Sequence, residues 1–265
     1  MFSKVKKTHI NARRKIHNSF NSSLQRKSQS SWNAIESFLG SPLSKKLYII
    51  DNSPSNEFKN KIQNDSVEYI YSNKNVGFGK GHNSILQKLT SENKYHLILN
   101  PDVSFNPEIL EKLVLKMESN ESLSMIAPRV LNTNNELLYT ARRYPSLLEL
   151  IFRFLGIFKK FTTRGEYKNQ NHKQSFSPDF VQGSFMLFKT EDLLRLNGFD
   201  NRFFMYMEDV DICKRIDQLG KIKLFYTKVE ITHTHRKGSS KEFRLFFIHV
   251  SSIIKYFIKW GFSST

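Results

Sequence analysis

The densest group of chemistry-bearing residues is Glu208, Asp209 and Asp211, directly behind the aromatic run Phe203-Phe204-Met205-Tyr206-Met207. Val210, Cys213, Ile216 and Leu219 recur at helical spacing, and Gly220 stands where a helix should stop. The three acids therefore fall at a helix N-terminus. The helix dipole there favours ionised carboxylates, the form in which a carboxylate takes up a proton as a general base. Acids also cap helices without doing chemistry, and that reading competes. Three acids behind an aromatic run are more than a cap requires.

Two apolar runs end abruptly in polar groups. Leu47–Ile50 leads into Asp51-Asn52-Ser53, which places a carboxylate and an amide where a base or ribose could be held; an Asx turn is the competing reading. Tyr95–Leu99 leads into Asn100-Pro101-Asp102, where Pro101 restricts the backbone around one carboxylate. A diphosphate leaving group calls for a hard divalent cation with oxygen ligands, Mg²⁺ or Mn²⁺, and Asp102 is a candidate ligand. A plain strand-ending turn is the alternative.

Between these runs, Asn75-Val76-Gly77-Phe78-Gly79-Lys80-Gly81-His82-Asn83 follows a strand and opens a helix. Glycines let the backbone approach a phosphate, and a helix N-terminus favours an anion. The stretch is not a P-loop, because Gly81 stands where Ser or Thr should follow the lysine, and its spacing misses the dinucleotide fingerprint. A simple glycine-rich turn fits it equally well. Near the end, His233-Thr234-His235 would put both rings on one face of a strand, suited to metal or phosphate, or merely to the surface.

The elements that must position these groups alternate. β-rich runs at 47–51, 67–71, 95–99, 184–188 and 223–226 are separated by helix-like segments near 32–39, 79–90, 107–119 and 190–197. This predicts an α/β fold with a mostly parallel sheet flanked by helices, with ligands outside the carboxyl ends of its strands. Residues 162–178 are polar and weakly patterned and are expected to form a mobile surface loop. Residues 146–161 and 242–262 are amphipathic and aromatic.

Composition bounds the partners. The chain has 265 residues, 41 Lys and Arg against 24 Asp and Glu, and a formal charge of +17. So basic a protein attracts anions: nucleic acid, anionic lipid or phosphorylated small molecules. One cysteine, Cys213, excludes an internal disulfide. Apolar runs are interrupted by charge well short of about 18 residues, and no apolar core follows the basic N-terminus. The expected location is the cytoplasm. The two amphipathic segments would allow peripheral attachment to the anionic inner leaflet through Phe152, Phe154, Phe158, Phe246, Phe257 and Trp260, with core packing as the rival reading. A basic nucleic-acid-binding protein is the non-enzyme alternative, but the basic residues are spread along the chain without a recognised nucleic-acid motif.

Taken in order, IIDNS (49–53), NVGFGKGHN (75–83), LILNPDV (97–103), QGSFMLF (182–188) and NGFDNRFFMYMEDVDICKR (197–215) resemble the family 2 glycosyltransferases of the GT-A (Rossmann-like) fold, in their bacterial rhamnosyltransferase-like branch. The resemblance spans about 31–240. It implies an inverting glycosyltransferase that moves L-rhamnose from dTDP-rhamnose to a lipid-linked saccharide acceptor in cell-surface polysaccharide synthesis. UDP-galactofuranose or another UDP-hexose is the alternative donor. It implies Asn21, Asp51, Asn52, Asn75, Gly77, Asn83 and Gly183 along the donor, Asp102 and His233 at a divalent metal, Asp209 with Glu208 in catalysis, and Arg142, Arg143 and Asp211 on the acceptor side. Residues 1–18 would be a basic N-terminal segment, 19–240 the transferase domain and 241–265 a C-terminal amphipathic helix. Two departures stand out. The first strand, ending in Ser19-Phe20-Asn21, follows a basic, polar stretch and is expected to be poor, which raises the reading of an impaired relative. Asn100 stands where many relatives carry a first aspartate.

Overall fold

Leu47-Tyr48-Ile49-Ile50 and Leu97-Ile98-Leu99 are apolar at every position, and such runs persist as strands only when covered on both faces. The computed structural model describes residues 16–22, 29–56, 59–62, 64–90, 92–150, 164–234 and 243–262, and it covers both faces. β1 (Ile16–Ser22), β2 (Lys45–Asp51), β3 (Val67–Tyr71) and β4 (Tyr95–Leu99) pair in parallel in the order β3-β2-β1-β4. The order reverses beside β1, which opens a crevice at the strands' carboxyl ends. Beyond β4 the sheet is mixed. β5 (Val103–Ser104), β6 (Leu123–Leu131), β7 (Leu137–Leu138), β10 (Phe185–Lys189) and β11 (Ile222–His233) complete nine strands. In this half β10 runs antiparallel to both β4 and β6, and β11 runs parallel to β6. Only the first half is parallel throughout, while the second half combines antiparallel pairs with the parallel β6–β11 pair. β8 (Ala141–Arg142) and β9 (Phe180–Val181) form a separate ribbon.

Six helices stand among the described residues: α1 (Gln29–Leu39), α2 (Phe78–Asn83), α3 (Ile109–Glu118), α4 (Thr190–Arg195), α5 (Glu208–Gln218) and α6 (Phe243–Trp260). The twofold alternation of strands divides the core. Leu47, Ile49, Leu97 and Leu99 meet Phe38 of α1 and Leu113 of α3. Tyr48, Ile50 and Ile98 lie on the other side, with Ile212 and Cys213 of α5 and Tyr256 of α6. Cys213 is fully buried, and burial pushes its thiol up to about 12.

Three expectations change. β1 is a central strand, paired along its whole length to β2 and over Ile16–Phe20 to β4, and it begins inside the segment set apart as 1–18. Backbone hydrogen bonds on both edges offset its poor apolar pattern, and Ile16 is fully buried at its start. Segment 164–178 is tied down: Phe176 bridges Phe225 of β11 through paired backbone hydrogen bonds, and the Tyr167 hydroxyl donates to Asp179 at 2.9 Å. β11 runs to His233, far beyond the 223–226 core read from apolar content, with a register shift between Tyr226 and Glu230.

Of the expected membrane anchors, Phe152, Phe154 and Phe158 lie outside the described residues. Phe257 is buried in the core and Trp260 donates to Asp211 at 2.9 Å, so both serve packing. Phe246 is exposed. No helix among the described residues is long and apolar enough to cross a membrane.

Candidate active site

At the carboxyl edge of β4 the chain turns through Asn100, Pro101 and Asp102, and a cleft of about 420 Å³ opens against them. Asp102 is fixed by its neighbours. Its backbone carbonyl accepts from Thr234 N–H at 2.8 Å, and its Oδ1 lies 3.0 Å from His233 Nε2. The antiparallel pairing of β5 with β11 sets Val103 opposite His233, so two strand ends bring this pair together.

Asp102 and His233 offer a cation one carboxylate and one imidazole; no group of three or more His, Cys, Asp or Glu suited to a metal occurs among the described residues. Mg²⁺-type sites at nucleotide substrates commonly use one or two protein carboxylates and fill the remaining positions with phosphate oxygens and water. The pair fits an ion that arrives with a diphosphate, and does not fit a closed protein cage. His235 lies outside the described residues.

Opposite stand Glu208 and Asp209 at the start of α5. Asp209 Oδ2 accepts the Gly183 N–H at 3.2 Å and Oδ1 accepts the Val210 N–H at 2.9 Å, which fixes the plane of its carboxyl. Burial raises the pKa of Asp209; those N–H groups and the charge of Arg142 oppose the rise without cancelling it. Glu208 is raised as well, first by burial and then by the Asp209 charge, and its buried Oε2 has no hydrogen-bond partner. The helix dipole was expected to hold these acids ionised. Desolvation outweighs it, because the dipole acts over one turn whereas loss of water acts on the whole carboxyl. A carboxylate with a raised pKa is the better proton acceptor.

The backbone leading into α5 is strained. Tyr206 and Met207 have φ of 68° and 69° without being glycine, a conformation that costs about 1–3 kcal/mol per residue. Contacts from elsewhere hold it. Phe78 N–H donates to the Phe204 carbonyl at 2.9 Å, Ser252 Oγ donates to the Met205 carbonyl at 2.7 Å, and the His249 ring lies 4.5 Å from that of Tyr206. Gly77 is indispensable to this approach: its φ is 90°, and an added Cβ would stand 2.2 Å from the Phe204 carbonyl oxygen.

The cleft gathers Asn52, Asn75, Gly77, Asp102, Gly183, Glu208, Asp209 and His233 of the residues singled out in the sequence. Asn75 Oδ1 accepts the Gly77 N–H at 3.0 Å, and Asn52 Nδ2 donates to the Gly77 carbonyl at 3.4 Å. Asp51 is buried beside the cleft rather than lining it: Oδ1 accepts the Ser53 N–H at 2.8 Å and Oδ2 accepts the Tyr69 hydroxyl at 2.6 Å. The register sets Asn21 beside Ile50 at the same sheet edge; its side chain lies outside the described residues.

Four expected positions are not among the residues lining the cleft. Asn83 is held by Phe199, its amide accepting the Phe199 N–H at 2.8 Å and donating to the Phe199 carbonyl at 2.6 Å. Asp211 is fully buried, held by Arg215 at 2.8 Å, Trp260 at 2.9 Å and Lys259 at 2.6 Å, so it clamps α6 to α5 instead of meeting an acceptor. Arg142 bonds Glu166 at 3.1 Å and Arg143 stacks over Tyr167 at 4.7 Å; neither lines the cleft, although the charge of Arg142 is felt at Asp209. His82 is buried against Phe78 and Phe199, and burial lowers it to about 3. Part of the long motif is structural as well. Asn197 and Gly198 close α4, with Gly198 N–H donating to the Leu193 carbonyl and Asn197 N–H to that of Leu194. Sequence reasoning missed Phe78, Gln182, Ser184, Met205 and Tyr206 in the cleft wall, although each sits within a quoted motif.

Comparison with known proteins adds ancestry to this geometry. The model of the family described as "Glycosyl transferase family 2" matches residues 21–196. "Rhamnosyltransferase WbbL" of Escherichia coli (strain K12) is 29% identical over 194 residues, 68% of this chain and 70% of that protein. "Low-salt glycan biosynthesis hexosyltransferase Agl10" of Haloferax volcanii is 29% identical over 169 residues, 63% of this chain and 52% of its own. "N-acetylglucosaminyl-diphospho-decaprenol L-rhamnosyltransferase" of Mycobacterium tuberculosis is 25% identical over 205 residues, 71% and 66% respectively. The crystal structure of GalNAc-T7 with UDP, GalNAc and Mn2+ superposes with a TM-score of 0.67 at 11% identity, covering 92% of this chain and 47% of that one. At that identity the likeness shows the GT-A fold alone.

Proposed function

The chain belongs to glycosyl transferase family 2, and from that premise we propose that it moves L-rhamnose from dTDP-rhamnose to a saccharide acceptor carried on a lipid, with inversion at the anomeric carbon. The relatives named as rhamnosyltransferases support the choice of sugar. The observation that carries the chemistry is the shared cleft: Asp102 with His233 on one wall, Glu208 with Asp209 on the other. The family match ends at residue 196, so the roles of Asp209 and His233 rest on geometry.

Asp209, held by the Gly183 and Val210 N–H groups, takes the proton of the acceptor hydroxyl. The freed oxygen pair forms the new bond to the anomeric carbon from the face opposite the diphosphate, and the bond to the diphosphate breaks with its electrons. The nucleoside diphosphate departs. Asp102 and His233 would hold a divalent cation, which would supply charge neutralisation for that diphosphate. Asn75 and Gly77 would border the diphosphate and sugar, while Asn52, Asp51 and the end of β1 would border the nucleoside. Domain layout follows: one transferase unit from β1 to β11, and α6 as a C-terminal appendage clamped to it.

Thermal-shift screening of the purified chain against nucleotide sugars with Mg²⁺ or Mn²⁺ tests this reading. The largest stabilisation is expected with dTDP-rhamnose. A response confined to UDP-galactofuranose or another UDP-hexose replaces the donor and keeps the class. No response to any nucleotide sugar removes the transferase reading.

A further inference from the structure

Helix α6 is apolar on two sides, one buried and one exposed. Its inner side packs in the core through Ile253, Tyr256 and Phe257. Its outer side carries Phe243, Phe247, Ile254 and Ile258, which recur at helical spacing and are each more than half exposed. The stripe runs for about 22 Å at 1.5 Å per residue, and Phe262 continues its apolar character just past the helix end, again more than half exposed. Exposed aromatic stripes of this length mark a surface that meets something apolar.

Charge selects the occupant. The approach to the helix reads Arg236, Lys237, Lys241 and Arg244 against a single acid, Glu242, and Arg244 and Lys255 flank the stripe as exposed residues. A second copy of this chain, itself carrying +17, would meet the same basic residues with its own. An anionic bilayer offers acyl chains to the phenylalanines and headgroup phosphates to the cations together.

The geometry points to α6 as an interfacial anchor that seats the protein on an anionic lipid bilayer through Phe243, Phe247, Ile254 and Ile258. The anchor is built into the wall of the cleft. Ser252 bonds the Met205 carbonyl, the His249 ring meets Tyr206, and Met205 and Tyr206 line the cleft. The bilayer-facing stripe therefore lies roughly one helix diameter, about 10 Å, from the cleft wall. This deepens the proposed function, on which it rests only for the lipid carrier of the acceptor: a site so close to the membrane can receive a sugar chain whose carrier stays in the bilayer.

Co-sedimentation of the full chain with phosphatidylglycerol–phosphatidylcholine vesicles, free of acceptor and donor, provides the test. The protein should pellet with them at low salt, less at high salt, and remain in solution with pure phosphatidylcholine. The Phe247→Ser/Ile258→Ser double variant should bind at least tenfold more weakly while transferring sugar to a water-soluble acceptor at the parent rate. Failure of the parent to pellet, or pelleting of the double variant like the parent, overturns the anchor. So does a dimer in vesicle-free sedimentation that the variant dissolves. If the double variant lacks a thermal unfolding transition, Ile258→Trp takes its place. Its added indole emission, relative to the parent, should move to shorter wavelength on anionic vesicles, and an unmoved emission overturns the proposal. Vesicle binding is read without turnover, so loss of the transfer reading and loss of the anchor register separately.

Discussion

The two walls of the cleft are built by opposite means. The wall with Asp102 and His233 is made of strand ends, where regular ladders place each group and little besides the sheet is needed. The wall with Glu208 and Asp209 is made of a strained turn, two left-handed residues in succession, supported from α2 and α6. A sheet edge presents a ligand-binding carboxylate cheaply. A buried proton acceptor must be held against both desolvation and backbone strain, so it borrows its rigidity from distant segments. The first wall should respond to substitution locally, the second through its supports.

The sharpest separation comes from Asp209→Asn, which keeps the shape and removes the proposed proton acceptor. Turnover should fall by about 10²–10⁴-fold while donor binding by calorimetry stays near the parent value. A variant with near-normal turnover would remove Asp209 from that role. Asp102→Ala should act on the other wall alone, weakening the metal dependence of donor binding by about 10–100-fold; an unchanged metal titration would break the comparison there. Gly77→Ala tests the support. It sets a Cβ against Phe204 at φ 90°, and the expected loss is about 1–3 kcal/mol in denaturant unfolding together with reduced turnover, although residue 77 is remote in sequence from the acids. The smallest effect belongs to Glu208→Gln. A carboxyl whose pKa is raised in the folded state stabilises it most below the ordinary carboxylate range, and that contribution is lost as pH rises through the folded value. The Gln variant should thus match the parent's Tm in acid and exceed it increasingly toward neutral pH, as followed by calorimetry.

Much of the strand-end wall was legible in the sequence, because apolar runs closed by Asp51-Asn52 and Asn100-Pro101-Asp102 declare both a buried strand and its end. The end of α5 was legible too, since Gly220 stops the helix with φ 67° as its position predicts. The turn before α5 was not. Nothing in Phe203-Phe204-Met205-Tyr206-Met207 announces positive φ, which tertiary contacts impose. The packing partners of Asp211 and Asn83 were not legible for a related reason: a polar residue in a motif looks the same whether it meets a ligand or, as here, Trp260 or Phe199. β1 was expected to be poor because its apolar pattern is weak, but a centrally placed strand can be held by hydrogen bonds on both edges.

That placement of β1 has a consequence for biosynthesis. The ribosome makes this strand before either of its partners, yet it belongs between residues 45–51 and 95–99. Its edge toward β2 can pair as soon as residues 45–51 have emerged from the exit tunnel, whereas its other edge must wait, solvated or chaperoned, for residues 95–99. A ribosome stalled before residue 95 would therefore release a chain in which β1 still has one open edge.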